Sequence, residues 1–176
     1  VPDLQEVMQL LRTQLPGVTE ADLNRAAVQG LLQQWRTRIS LEAPDQAEAK
    51  ATAPLLSRTN VFEDAFAYLR VSRVSAGLAA QAQQALEQLS SPARPRGVVL
   101  DLRFAGGQDY AAAAVVADLF LAAERPLLQW DSTALKSTSK TNAWSVPVAV
   151  LVNARTAGAA EALAAALREA GAGLLI

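Results

Sequence analysis

The chain has 176 residues, enough for one well-buried domain and few for two. Its 16 basic and 17 acidic residues give a net charge of −1 without a basic stripe, which argues against a nucleic-acid partner. It contains no histidine and no cysteine, which excludes thiol and redox chemistry and leaves only scattered carboxylates as metal ligands. We therefore expect neither a metal nor a cofactor.

No stretch of the sequence reaches the ~18 consecutive apolar residues that a membrane-spanning helix needs, so no membrane span is expected. The chain begins Val1-Pro2-Asp3, without a methionine or an apolar leader, and we expect any targeting segment to have been removed. The absence of cysteine suits an oxidising compartment, although many cytosolic proteins share it. These features favour an exported protein of the periplasm or the extracellular space.

The first part of the chain predicts two amphipathic helices. Residues 4–15 place their apolar side chains largely on one helical face, and Pro16-Gly17 ends that helix. Thr19 followed by Asp22 is typical of a helix start, so a second helix is predicted to run to about Trp35. A helical hairpin is therefore expected over residues 1–36.

Residues 37–60 predict a short strand and a linker. Residues 37–42 alternate apolar and polar side chains as a strand does, whereas residues 43–60 contain two prolines, mixed charges and no clear period. The main domain is expected over residues 61–176.

From residue 65 onward, predicted strands and helices alternate. Strands are expected over residues 65–74, 97–103, 127–130, 146–152 and 174–176, and helices over residues 75–89, 109–123 and 157–170, with a polar loop over residues 131–144. The apolar runs GVVLDLR and VPVAVLV are typical of parallel strands buried on both faces. The sequence therefore predicts an α/β fold with a mostly parallel sheet and covering helices.

Two glycine-containing segments follow predicted buried strands, where open α/β sheets usually place their sites. In DLRFAGG, residues 101–107, Gly106 and Gly107 could turn backbone amides into a cleft, as an oxyanion hole requires, or could serve only a turn that needs positive φ. In NARTAGAAE, residues 153–161, small side chains allow close backbone approach and a helix start offers free amides. An ordinary, tightly packed turn with Thr156 as the helix cap is the favoured interpretation of the second segment on propensity alone.

A third candidate is the polar loop between residues 131 and 144. It holds Ser132, Thr133, Lys136, Ser137, Thr138, Ser139 and Lys140. A serine and a lysine there could form a catalytic pair, but polar surface loops contain these residues routinely, and a solvated lysine stays protonated. The solvated loop is the favoured interpretation.

Taken together, these segments resemble the C-terminal processing (tail-specific) serine peptidases, a family of the crotonase-like fold. AYLRVSRVS (67–75), VVLDLRFAGG (98–107) and VPVAVLVNARTAGAAEALAAALREAG (146–171) are similar, in this order, to the family's "gYirI..F", "lilDLRnNpGG" and "pvvVLvn..SASASEi.a.al.d.g". ADLNRAAVQGLLQQW (21–35) resembles the helix that precedes the family core. The resemblance implies a crotonase-like core after a helical pair, a peptide or protein ligand, and a possible homodimer through that pair.

Two departures from the family pattern concern its Ser–Lys dyad. The family's nucleophilic serine lies three residues before the glutamate of the Ser-Ala-Ser-Ala-Ser-Glu run, so Glu161 places Gly158 at that position. An acyl-enzyme cannot form on glycine, and Thr156 is either a substitute nucleophile or, more simply, a cap. The family's general-base lysine lies further along the chain than Ile176, and no lysine follows Lys140.

The resemblance leaves three hypotheses. The first is a catalytically inactive relative that binds peptide through Gly106, Gly107 and the amide of Ala159. The second is an active serine endopeptidase for protein C-termini, with its dyad restored outside these residues. The third is an acyl-CoA enzyme, which the N-terminal helical pair and the DLR-x-x-GG pattern disfavour. Residues 42–62 are too few for the PDZ domain that relatives often insert there.

Overall fold

The computed structural model describes residues 3–35, 54–90, 93–130 and 132–176. The chain divides into two compact units, Val1–Ala49 and Lys50–Ile176. The first contains the two predicted helices, α1 (Leu4–Gln14) and α2 (Glu20–Gln34). Thr19 and Asp22 form the predicted capping box at the start of α2, in which each side chain accepts a hydrogen bond from the other residue's amide. The strand predicted over residues 37–42 lies outside the described residues.

The second unit is built on a five-stranded sheet, which confirms the α/β class. Its strands, numbered along the whole chain, are β1 (Leu56–Phe62), β2 (Phe66–Val71), β3 (Gly97–Asp101), β6 (Val148–Leu151) and β7 (Gly173–Leu175). They lie side by side in the order β1-β2-β3-β6-β7. Strands β2, β3, β6 and β7 pair in parallel, and β1 adds an antiparallel edge. The assignment to the crotonase-like group stays a prediction.

Three helices pack with this sheet into one hydrophobic core. They are α3 (Leu78–Gln88), α4 (Tyr110–Asp118) and α5 (Ala159–Glu169). Alternate residues of three neighbouring strands are buried in that core: Ala67, Leu69, Val71, Val98, Leu100, Val148 and Val150. Buried alanines of α4 and α5 let the two helices approach each other closely. None of the helices in the described ranges is long and apolar enough to cross a membrane.

Two strands lie where the sequence predicted irregular chain. Residues 56–60, the last part of the predicted linker, belong to β1, and the polar loop contains β5 (Thr133–Lys136), which pairs with β4 (Pro126–Trp130). Both strands are mainly exposed, so neither shows the apolar alternation that marks a half-buried strand.

The helix after β2 also begins later than predicted. Ser75 does not cap it, since its carbonyl oxygen accepts a hydrogen bond from the Leu78 amide and Gly77 occupies the cap position. The turn between β2 and α3 therefore takes up residues that the sequence assigned to the helix.

Candidate functional site

Two loops meet at the carboxyl ends of β3 and β6, the neighbouring parallel strands at the centre of the sheet. The loop after β3 covers residues 102–109, and the loop after β6 covers residues 152–158. The Leu102 amide donates to the Leu151 carbonyl oxygen at 2.9 Å and so extends the strand pairing into the loops. Both glycine-containing segments selected from the sequence therefore lie side by side, as sites of open α/β sheets do.

Backbone hydrogen bonds join these loops to each other and to the end of β2. The Ala157 amide donates to the Ala105 carbonyl oxygen at 3.0 Å, and the Ala159 amide donates to the Gly107 carbonyl oxygen at 2.9 Å. On the other side, the Val74 amide donates to the Gly106 carbonyl oxygen at 2.8 Å. Gly106 and Gly107 thus lie between the segment after β2 and the start of α5.

Gly158 is the N-cap residue of α5 and has φ 58° and ψ −126°. Because glycine has no side chain, no side-chain hydrogen bond caps the helix. A Cβ atom added there would overlap the Gly107 carbonyl oxygen. Gly107 has φ 137°, and a Cβ atom there would overlap the Val74 carbonyl oxygen. Only glycine fits at these two positions, because the backbone of another segment occupies the space that a side chain would need.

Thr156 does not cap α5, contrary to the prediction. The helix begins two residues after the expected position, so the threonine hydroxyl bonds the loops instead. It donates to the Leu102 carbonyl oxygen at 3.0 Å and accepts from the Asn153 amide at 3.0 Å. The hydroxyl proton is thus directed at a carbonyl oxygen, which is not a base that could activate a nucleophile.

Asn153 is a second link between the loops, and the sequence pattern did not predict it. Its side-chain oxygen accepts from the Phe104 amide at 3.2 Å and from the Arg155 amide at 3.0 Å. An asparagine directly after a strand is a known turn former, and this signal could have identified it.

A polar cluster beside the loops consists of Asp101, Arg103 and Tyr68, and the sequence pattern did not predict it either. Asp101 is fully buried at the end of β3. Its carboxylate accepts from the Tyr68 hydroxyl at 2.6 Å, from the Arg103 amide at 3.0 Å and from the Arg103 guanidinium at 2.9 and 2.8 Å. The charged ending of the apolar run GVVLDLR was the available signal, because a buried carboxylate needs partners.

These contacts change the acidity of the cluster. The hydrogen bonds from Arg103 lower the pKa of Asp101 to about 2 against the opposing effect of burial. Burial, together with the hydrogen bond to Asp101, raises the pKa of Tyr68. The carboxylate therefore stays ionised at neutral pH and holds the turn after β3 in place.

The Ser–Lys pair proposed for the polar loop does not form. The Ser137 hydroxyl donates to the Ala123 carbonyl oxygen and accepts from the Arg125 amide, both at 2.8 Å. Lys136 lies 3.1 Å from Glu124, and Lys140 lies 2.7 Å from Asp118. Lys140 also donates to the Thr138 hydroxyl at 3.2 Å. The Lys136 side chain is 57% exposed, as the solvated interpretation expects, whereas that of Lys140 is only 20% exposed.

Two side chains extend from the paired loops to the surface. Phe104 is 58% exposed, with φ 69°, an unusual backbone angle for a bulky residue. The Arg155 guanidinium lies 5.9 Å from the centre of its ring. One loop thus presents an aromatic ring and the other a cation at the same edge of the sheet.

Comparisons of sequence identify relatives of this chain. The family model for Peptidase family S41 matches residues 65–176. The C-terminal processing peptidase, chloroplastic, of Tetradesmus obliquus is 34% identical over an alignment of 112 residues that covers 61% of this chain and 24% of that protein. The chain therefore spans about a quarter of this curated relative.

Solved structures show the same architecture. The photosystem II D1 C-terminal processing protease has a TM-score of 0.58 at 30% identity, over 70% of this chain and 36% of that one. A putative peptidase from Parabacteroides merdae ATCC 43184 has a TM-score of 0.57 at 16% identity, over 74% of this chain and 46% of that one. The resemblance to C-terminal processing peptidases is confirmed, and the second structure supports the fold alone.

Proposed function

The chain belongs to peptidase family S41, and we propose that it is a catalytically inactive member that binds peptide or protein chains. The observation that carries the proposal is the backbone at Gly158, where the resemblance places the nucleophilic serine. The Gly107 carbonyl oxygen occupies the space that a side chain would need there. Acyl transfer requires an activated nucleophile, and glycine supplies none.

The neighbouring hydroxyl and the lysines support the same proposal. Thr156 donates its proton to a backbone carbonyl oxygen, and Lys136 and Lys140 bind carboxylates. The third lysine of the chain, Lys50, lies outside the described residues. Lys140 contacts the Thr138 hydroxyl at 3.2 Å, but as a hydrogen-bond donor that is also paired with Asp118. Among the described residues, the candidates selected from the sequence thus form no pair in which a base accepts the proton of a nucleophile.

The proposed ligand is the carboxyl-terminal end of a peptide. Arg155 offers a cation for a terminal carboxylate, and Phe104 offers an exposed ring for an apolar side chain beside it. The names of the relatives describe processing of C-termini, which agrees with this choice of ligand.

We further propose that the N-terminal helices associate with a second copy. Leu23 is the only buried residue of α1 and α2, and six large apolar side chains are exposed: Leu4, Leu10, Leu15, Val28, Leu31 and Trp35. Sedimentation velocity tests this proposal by comparing the protein with Leu10→Glu. Val115→Glu, at an exposed apolar position of α4, is the control that should leave the oligomeric state unchanged. A monomer at all concentrations rules the homodimer out.

Export to the periplasm or the extracellular space is part of the same proposal. It is supported by the absence of cysteine, which suits an oxidising compartment. Fractionation of cells that express the complete natural gene tests it, and recovery of the protein in the cytosolic fraction contradicts it.

Cleavage and binding assays test the inactive-member proposal. The protein is incubated with an unfolded protein substrate, and mass spectrometry follows its cleavage. We expect no cleavage by the protein, and we expect a fluorescent peptide with a free carboxylate to bind more tightly than its terminal amide. Cleavage that survives removal of contaminating proteases and disappears in Thr156→Val contradicts the proposal and identifies Thr156 as the nucleophile. Arg155→Gln, which removes only the cation, should weaken binding of the free carboxylate alone.

A further inference from the structure

Three chain segments lie backbone against backbone at the candidate site. Gly107 has no Cβ, which makes room for the Val74 carbonyl oxygen, and Gly158 has none, which makes room for the Gly107 carbonyl oxygen. The Val74 and Ala159 amides donate to Gly106 and Gly107 across the same two contacts. The loop after β3 is therefore held on both sides by backbone contacts that leave room only for glycine at positions 107 and 158.

The contact between Gly107 and Ala159 satisfies a helix amide that would otherwise need another partner. Ala159 is the first residue of α5, and the first amides of a helix have no partner within the helix. Ala159 is fully buried, so its amide cannot turn to water, and the Gly107 oxygen at 2.9 Å is its acceptor. A buried amide that loses its acceptor carries a desolvation penalty, so this bond breaks readily only when another acceptor replaces it.

We propose that the Gly107 carbonyl group is a latch that closes the site from within. In the closed state it holds the Ala159 amide and fills the space beside Gly158. A carbonyl or carboxylate oxygen of a ligand binds that amide only after residues 105–108 have moved away. The gating of a ligand rests on the proposed function, whereas the closed latch itself does not.

The glycine at position 158 is what allows the latch to close. A methyl group there would meet the Gly107 oxygen, so Gly158→Ala should push the loop open. Gly171 is the matched control because it also has positive φ, at 73°, but open space surrounds the position of its Cβ. Gly171→Ala therefore reports the cost of alanine at positive φ without displacing a neighbouring segment.

Nuclear magnetic resonance of the isotope-labelled protein tests the latch directly. We expect a scalar coupling across the hydrogen bond between the Ala159 nitrogen and the Gly107 carbonyl carbon, and slow exchange of the Ala159 amide. In Gly158→Ala the coupling should disappear and the amide should exchange roughly tenfold faster, the effect of losing one hydrogen bond. The Leu102 amide, which bonds to Leu151, should keep its exchange rate. Gly171→Ala should change neither the coupling nor the exchange rate of the Ala159 amide.

Two results overturn the latch. One is an Ala159 amide that exchanges in the unmodified protein as fast as a solvent-exposed amide, a result that stands even if Gly158→Ala fails to fold. The other is a coupling that survives in a Gly158→Ala variant shown to be folded by circular dichroism.

Titration with the peptide Ser-Gly-Ser-Ala-Leu-Val, with a free carboxylate or a terminal amide, tests the gating. We expect the free-carboxylate peptide to reduce the coupling in proportion to its occupancy. Binding that leaves the coupling intact overturns the gating. If neither peptide binds although Gly158→Ala abolishes the coupling, the latch stands and the proposed function fails.

Discussion

The Arg103 guanidinium binds the Asp101 carboxylate through two parallel hydrogen bonds, at 2.9 Å from Nε and 2.8 Å from Nη2. Asp101 is fully buried, whereas the Arg103 side chain is 46% exposed. The pair thus connects the interior end of β3 to the surface beside the candidate site. We expect removal of this pair to lower the stability of the fold rather than to act directly on the binding of a ligand.

Asp101→Asn should destabilise the protein by about 3 kcal/mol, because the amide cannot replace a carboxylate that accepts from both Arg103 and Tyr68. Tyr68→Phe removes only the hydroxyl donor and should cost about 1 kcal/mol, the net value of one hydrogen bond. Urea unfolding followed by circular dichroism measures both free energies of unfolding. Equal effects of the two substitutions would show that the arginine bonds contribute nothing.

The same carboxylate should make the stability depend on pH in the acid range. Its pKa falls from an ordinary value of 3.8 to about 2 in the folded protein, so the unfolded chain binds the extra proton between these values. The stabilisation is therefore complete above about pH 5 and is lost as pH falls through the folded pKa, by roughly 2 kcal/mol in total. Urea unfolding from pH 5 to pH 2 measures the loss, which Asp101→Asn should reduce by that amount. A variant with the same pH dependence as the unmodified protein would assign the effect to other carboxyl groups.

The sequence predicted the central strands but not the exposed ones, for a physical reason. GVVLDLR and VPVAVLV are apolar because β3 and β6 are central strands, and burial determines composition. Strand β1 lies at the edge, and Ser57, Arg58 and Thr59 face solvent, so pairing with β2 left no apolar pattern to detect.

The candidate site was predictable in its location but not in its contacts. Both glycine segments follow central strands, so the topology of a parallel sheet brings them to one edge. The contact between Gly107 and Gly158 joins backbone atoms of residues 51 positions apart (158 − 107) and involves no side chain that a pattern could reveal. The start of α5 was predicted two residues too early because Gly158 and its small neighbours offer no side chain that could cap a helix. Thr156 was the nearest residue with a capping side chain.

Thr156→Val should destabilise the protein by about 1 kcal/mol, the net value of one hydrogen bond, without changing its fold. Valine removes the hydroxyl, so the partly buried Asn153 amide loses its acceptor, whereas the Leu102 carbonyl oxygen keeps its hydrogen bond from the Ala105 amide at 3.0 Å. Thr156→Ser keeps the hydroxyl and should lose less than half as much stability. Thermal and urea unfolding of the two variants test the role of Thr156 as a link between the loops. Equal losses would contradict it, because the methyl group that serine lacks would then matter as much as the hydroxyl that valine lacks.

The pairing of β1 with β2 places two like charges directly opposite each other. Arg58 and Arg70 are partners in the antiparallel register, and like charges at such positions repel. Arg58→Glu should therefore stabilise the protein by about 0.5 kcal/mol, and Arg58→Gln, which only removes the repulsion, should give about half of this gain. Unfolding measured at low and high salt separates charge from packing, because added salt screens charges at the surface. A gain that does not change with salt would show that charge repulsion is not its cause, and a loss of stability in both variants would show that the aliphatic stem of Arg58 stabilises the strand pair.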